Sequence, residues 1–192
     1  VIKAYSSEFK IITIKNKGKG VHGAIITGFD SSIAECVIVF PADDNYNAPI
    51  LDKMFDKFRE GNDIVAASRF MKGGRMKGCP LLKSVLVRTA SFTLFWFSSI
   101  PIRDASNGFR LFSRRTLDTI LIESKLAFTY SLELVVKTNR LNWKIGEVPS
   151  SWIERTKGVS RFRVIQWLPH YIRWYLYGLG TTWLQLKNVK QK

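Results

Sequence analysis

Three short groups of side chains in this sequence have the types and spacing to do chemistry. Asp43, Asp44 and Asn45 follow an apolar run, Cys36-Val-Ile-Val-Phe40, and its Pro41-Ala42 exit. Closely spaced oxygen donors on a loop suit Mg²⁺ or Mn²⁺, which take few protein ligands and fill the rest from water and substrate phosphates. Two acids in a turn also occur for purely structural reasons, so the metal reading needs its surroundings. Arg69 directly follows a second apolar run, where a fixed guanidinium can grip a phosphate with two hydrogen bonds. Arg155-Thr-Lys-Gly158-Val-Ser160-Arg161 is a flexible basic loop with a hydroxyl, again suited to phosphate or else a solvated charge run. Arg103-Asp104 reads either as a local ion pair or as part of a site.

Charge sharpens this. The 192 residues carry 30 Lys and Arg against 15 Asp and Glu, a net +15. Residues 65–115 hold ten of the cations and a single acid, Asp104. Such an excess points to an anionic partner, with phosphates the natural candidate beside Asp43 and Arg69. No helix-turn-helix, RRM or zinc spacing accompanies the charge, so nucleic acid is not expected as a partner. With 46% hydrophobic and 23% charged residues the chain is an ordinary globular one, which excludes wholesale disorder. Cys36 and Cys79 are too few for a disulfide framework and read as free thiols.

The elements that must position these groups follow from periodicity. Phe9–Ile14, Cys36–Phe40, Asp63–Ala67 and Trp143–Pro149 read as strands. Helices are expected from about Gly20 to Ile33, Pro49 to Glu60, Leu81 to Ser98, Thr116 to Ile122 and Ser131 to Arg140. Residues 68–80 and Arg103–Arg110 read as loops. Strands alternating with helices argue for a parallel sheet covered on both faces, with ligands beyond the carboxyl ends of its strands. Gly18, Gly20 and Gly23 match G-x-G-x-x-G, with Asp43 twenty residues beyond. A dinucleotide turn would carry its acid on the following strand, whereas here that strand runs into Pro-Ala-Asp-Asp, so the glycines read as a close-packed start to a helix.

Residues 151–192 differ, with eight Lys or Arg against Glu154, and three Trp and three Tyr between Trp167 and Trp183. Aromatics mixed with cations on a helix fit a membrane–water interface, or a helix packed on its own domain. No stretch reaches the roughly 18 apolar residues of a spanning helix. Residue 1 is Val and no signal peptide opens the chain, so a processed chain or a piece of a longer protein is expected.

Taken in order, the motifs resemble family 2 glycosyltransferases, and among them the dolichyl- and polyprenyl-phosphate sugar synthases. Asn16-Lys-Gly18-Lys19-Gly20 is similar to their N-x-G-K-G. Val37-Ile-Val-Phe-Pro-Ala-Asp43-Asp-Asn45 falls where they have D-A-D-x-Q, with Pro41 at the first Asp and Asn45 at the Gln. Asp63-Ile-Val-Ala-Ala-Ser68-Arg69-Phe70 with Gly73-Gly74 resembles D-I-V-x-G-S-R-[YF] and G-G. Asp104-Ala-Ser106-Asn107-Gly108-Phe109-Arg110 resembles D-x-T-S-G-F-R, and Glu147-Val-Pro149 with Arg155-x-x-Gly158-x-Ser160-Arg161 resembles E-V-P and R-x-x-G-x-S-[KR]. The family's opening strand and P-x-Y-N-E loop have no counterpart here.

The resemblance implies a GT-A fold, an α/β Rossmann-like and mainly parallel sheet sandwiched by helices. It would lack its first strand–helix–strand unit and end in an amphipathic aromatic helix. Residues 1–163 would form the partial GT-A domain, and 164–192 a membrane-interface helix and basic tail. The implied reaction is inverting transfer of a sugar from a UDP- or GDP-sugar to a polyprenyl or dolichyl phosphate, by a peripheral enzyme on the cytoplasmic face of an anionic membrane. Asp43, Asp104 and Arg155 would be catalytic; Lys19, Asp44, Arg69, Ser160 and Arg161 would bind donor or phosphate; Asp43 and Asn45 would hold Mg²⁺ or Mn²⁺. The Pro41 variant keeps open a polysaccharide or other non-lipid acceptor, and an inactive fragment.

Overall fold

The computed structural model describes residues 10–41, 44, 46–153 and 164–192, with the side chains of 164–166 left aside. Its main sheet is built from runs rich in Val, Ile and Ala, which suit strands covered on both faces. These are β1 (Cys36–Val39), β2 (Ile64–Ser68), β4 (Arg110–Ser113) and β5 (Ile145–Pro149), in the order β1-β4-β2-β5. Between β2 and β4 in sequence lies β3 (Arg75–Lys77), which pairs in parallel with β6 (Ser151–Ile153) as a separate ribbon. The helices are α1 (Gly20–Ser31), α2 (Leu51–Arg59), α3 (Leu81–Phe97), α4 (Arg114–Thr119), α5 (Thr129–Arg140) and α6 (Val164–Trp183).

The pleat of β2 sorts its side chains onto two cores. Ile64 and Ala66 join Phe29, Leu94, Phe112, Leu134 and Trp174 on the face covered by α1, α3, α5 and α6. Val65 and Ala67 join Met54, Leu111 and Val148 on the face covered by α2. This is the sandwiched α/β architecture expected, with three of four strands pointing the same way.

Four expectations need correction. β4 runs antiparallel between β1 and β2, with Val39 opposite Arg110 and Ile64 opposite Phe112, so the Arg103–Arg110 loop ends in a central strand. Part of the 68–80 loop is β3. Residues 10–17 form neither strand nor helix, so the apolar run at Ile11–Ile14 finds no partner strand among the described residues. The short helix after β4 covers Arg114–Thr119, earlier than 116–122, because Ser113 caps it by accepting from the Thr116 amide.

α6 packs on α3 and α5, and four of its six Trp and Tyr side chains pack inward. Trp174 is 2% exposed and donates to the Ser124 hydroxyl at 2.9 Å, while Tyr171, Tyr175 and Tyr177 pack against the same core. The outward stripe is instead Leu168, Ile172 and Leu176, with Trp183 beyond. No helix among the described residues is long and apolar enough to cross a membrane.

Beneath α6 lies a buried ion network. Lys137 Nζ donates to Glu133 (2.6 Å), Glu123 (2.8 Å) and the Leu121 carbonyl (2.6 Å). Glu123 also receives Arg173 of α6 at 3.1 Å and Lys190 at 3.0 Å. Burial pushes the Glu123 carboxyl up, but the bonds and charges of Lys137 and Lys190 outweigh it and hold it at about 2. A carboxyl depressed on folding contributes stability above its ordinary value near ~4.3 and loses it as pH falls toward the folded value. Glu123→Gln should therefore melt below the parent at pH 7, and the gap should close as pH falls from about 4.5 toward about 2, read from melting temperatures across that window.

Candidate functional site

Because β1, β2 and β5 share a direction and β4 opposes them, one edge of the sheet collects three carboxyl ends and the start of β4. Ser68 closes β2 wholly buried, and Arg69 leaves the sheet there. Its guanidinium turns onto Asp104, Nε to Oδ2 at 2.6 Å and Nη2 to Oδ1 at 2.9 Å, while its own amide donates to Oδ2 at 3.0 Å. Nη2 also reaches the Ser106 hydroxyl at 2.6 Å, and Nη1 donates to no described residue.

Asp104 is 0% exposed, and Oδ1 accepts in addition from the Ser106 amide and hydroxyl and the Asn107 amide. Burial pushes this carboxyl up, and the adjacent Arg69 with these hydrogen bonds overrides it, so the group stays below the usual carboxylate range. In this arrangement Asp104 fixes Arg69 rather than facing open space. Arg103 does not pair with its neighbour: it donates to Glu147 through its amide (2.8 Å) and Nη1 (2.6 Å), which corrects the local-pair reading.

The loop carrying Asp104 is held from below. Asn107 Nδ2 donates to the Ala67 carbonyl at 2.8 Å, capping the end of β2. The fully buried Arg110 donates to the carbonyls of Asp104 (3.2 Å), Ala105 (2.7 Å) and Ser131. Burial lowers its guanidinium to about 10, with Asp104 acting in the opposite sense.

Gly74 shows why residues 73–74 are both glycine. A Cβ there would sit 2.5 Å from the Ser68 carbonyl oxygen and 2.7 Å from the Arg69 carbonyl carbon, both backbone atoms. Gly73 has φ +90°, which a side chain resists. Gly74→Ala should cost about 1–3 kcal/mol by overpacking and displace Arg69; urea unfolding measures the first effect, and nucleotide-sugar affinity the second.

Asp44 sits beyond β1. Its two oxygens accept from the Asn47 amide (3.1 Å) and side chain (2.6 Å), and Asn47 also exchanges bonds with Ser151 of β6 at 2.6 and 2.8 Å. Asn47 thus ties the Asp44 turn to the strand pair β3–β6. Lys19 precedes α1 and is exposed, and no described contact joins it to the Arg69–Asp104 cluster. The glycines before α1 act by close approach: a Cβ on Gly18 would lie 2.7 Å from the Gly23 Cα, and Gly20 has φ +61°. Asp43, Asn45, Arg155, Ser160 and Arg161 lie outside the described residues. Among the described residues no three His, Cys, Asp or Glu side chains converge as a metal cluster.

Asn47 was not singled out by the sequence, while Ser106, Arg110 and Glu147 stood inside the motifs without a role of their own. Their long-range partners, Arg69 for Ser106, Ser131 for Arg110 and Arg103 for Glu147, are what no local spacing reports.

The chain is 24% identical over 176 residues to the dolichol-phosphate mannosyltransferase of Pyrococcus furiosus, covering 88% of this chain and 49% of that protein. It is 25% identical over 164 residues to the polyprenol monophosphomannose synthase of Mycolicibacterium smegmatis, covering 77% of this chain and 62% of that protein. It thus spans about half to three fifths of these relatives' length. The sequence profile of glycosyl transferase family 2 matches residues 1–121, from before α1 to just past α4 and across the whole Arg69–Asp104–Arg110 cluster, and the chain belongs to that family.

Proposed function

We propose that this chain works in the inverting transfer of a sugar from a UDP- or GDP-sugar to a polyprenyl or dolichyl phosphate, as a peripheral protein on the cytoplasmic face of a membrane. The observation that carries the reading is Arg69, locked by the buried Asp104 at the open end of β2 with Nη1 left for an outside acceptor. Family membership and the names of both relatives, which specify mannose and a polyprenol-type lipid, agree with it.

In this scheme Arg69 and Arg155 hold the diphosphate or the acceptor phosphate, assisted by Lys19, Ser160 and Arg161. Asp104 serves as a positioning residue, since its oxygens are taken up by Arg69 and the 106–107 turn. A lipid phosphate is already an anion at neutral pH, so attack needs little help from a base and holding the two substrates in line does most of the work. Oxygen donors at 43–45 suit a hard cation that leaves room for phosphates, and Asp44 keeps lone pairs beyond those Asn47 uses. Mg²⁺ or Mn²⁺ held by Asp43 and Asn45, with Asp44 alongside, would offset charge on the leaving diphosphate. The outward stripe Leu168, Ile172, Leu176 and Trp183 would lie toward the lipid.

Calorimetric titration with UDP- and GDP-sugars, with and without Mn²⁺, tests the donor half. Binding of one nucleotide class that chelator abolishes is expected; equal binding with chelator present would remove the metal from the scheme.

A further inference from the structure

Asn47 is 3% exposed, and every polar atom of its side chain has a partner. Nδ2 donates to Asp44 Oδ2 and to the Ser151 carbonyl, both at 2.6 Å, while Oδ1 accepts from the Ser151 amide at 2.8 Å. These partners allow one orientation: turned over, the side chain would set its oxygen against a carboxylate and a carbonyl. The backbone is held too. The Asn47 amide donates to Asp44 Oδ1 at 3.1 Å, and its carbonyl accepts from the Ile50 amide at 3.0 Å. That second bond opens the short turn Ala48–Ile50 leading into α2, which Met54 anchors in the core.

The far end of the Asn47 bonds is fixed as well. Ser150, also 3% exposed, donates its amide to the Ser68 carbonyl and accepts from the Arg75 amide, each at 2.9 Å. Ser68 immediately precedes Arg69, and its carbonyl oxygen is the atom for which Gly74 leaves room. Residues 150–151 therefore stand between two parts of the site that share no strand. Ser150 holds the root of Arg69, and Ser151 holds Asn47 and through it Asp44. A residue that only shaped the Asp44 turn would stop at Asp44; the bonds to Ser151 add the distance from Arg69. Charge gives that distance a use. Asp44 is half-buried and its oxygens meet neutral donors, with no cation paired to it among the described residues of a chain that carries 30 Lys and Arg. A carboxylate kept in this way can share a divalent cation with a diphosphate whose other oxygens reach Arg69.

We propose that Asn47 is a positioning residue that sets the spacing between Asp44 and Arg69, so that a cation at Asp44 and the Arg69 guanidinium act on one diphosphate. The proposal rests on the transfer reading above and on its cation, and assigns their joint action to a side chain that touches neither. Cation and diphosphate then favour each other's binding, and by reciprocity the Asn47–Ser151 bonds are steadied when both are bound.

The test is calorimetric binding of UDP and of GDP, each with Mn²⁺ and with chelator in its place. For the nucleotide that binds, Mn²⁺ should raise the affinity of the parent at least about tenfold. Asn47→Ala should shrink that gain at least about fivefold, with binding in chelator kept within about twofold of the parent. A merely structural residue would weaken both conditions alike and leave the gain in place. Melting temperatures show whether the variant folds. If it does not, amide hydrogen exchange in the parent decides, because the Ser151 amide reports its bond to Asn47 directly. That amide should exchange at least about fivefold more slowly with Mn²⁺ and nucleotide than with chelator and nucleotide. The proposal is overturned by an unchanged Mn²⁺ gain in Asn47→Ala, by equal losses with and without Mn²⁺, by no Mn²⁺ gain in the parent, or by Ser151 exchange indifferent to Mn²⁺. If the gain behaves as stated but no sugar reaches a lipid phosphate, the transfer reading fails and the role of Asn47 stands. If sugar reaches a lipid phosphate with the same Mn²⁺ dependence in Asn47→Ala, the role of Asn47 fails and the transfer reading stands.

Discussion

Asp104→Ala is expected to cost about 3–5 kcal/mol of folding stability and to abolish sugar transfer together. The size follows from what the carboxylate holds. It is fully buried and is the counter-charge for Arg69, whose side chain is only 9% exposed. It also raises the basicity of the buried Arg110 against the burial that lowers it. Removal leaves one covered guanidinium unpaired, makes another costlier, and strands the amides of Arg69, Ser106 and Asn107. Asp104→Asn should recover little, because every contact of the two oxygens is with a donor and an amide nitrogen would meet donors. Urea unfolding followed by circular dichroism gives the stability. A loss under about 1 kcal/mol would show that the pair is a solvated surface contact and not a buried one.

The second large effect is far from this edge. Lys137→Met should cost about 3–5 kcal/mol, because it leaves the buried Glu133 charged and relieved only by the amides of Glu123 and Ser124, at 2.7 and 2.8 Å. It also removes a tether of Glu123, through which Arg173 of α6 and Lys190 are held. Lys137→Met combined with Glu133→Gln should recover part of the loss, since the buried charge is gone while the amide oxygen still accepts from one of the two backbone amides. Equal destabilisation by the single and double variants would contradict this, and urea midpoints decide it. Donor affinity should change little in the double variant, which separates the role of α6 in the core from the chemistry at Arg69.

Elements with a strong local pattern were legible. β1, β2, β5, α2, α3 and α5 fall within a few residues of their expected bounds, because uniform apolar runs and helical spacing report burial directly. β4 was not, since it has four residues and begins with an arginine that is wholly buried only because carbonyls from 104, 105 and 131 meet there. The run at Ile11–Ile14 shows the reverse, β-type residues without a partner strand among the described residues. At the site, Arg69 and Asp104 were legible as individual residues, but their pairing was not. The two neighbours diverge in the loop, Arg103 reaching Glu147 while Asp104 reaches Arg69 across 35 positions. Asn47 joins segments 104 positions apart, a contact no local pattern encodes.

The central claim is that the Arg69 end of the sheet delivers a sugar to a lipid phosphate. Its most direct test is one partition assay, with labelled nucleotide-sugar, polyprenyl phosphate and Mn²⁺ incubated with the chain and extracted into organic solvent. Label should enter the organic phase and fall by on the order of 10²–10³ with Arg69→Ala, as for loss of one preorganised charge stabiliser, assayed at a temperature where circular dichroism shows the variant folded, since the substitution also leaves the buried Asp104 unpaired. Label that stays in water while donor binds, or that reaches the organic phase equally well without Arg69, would contradict the account.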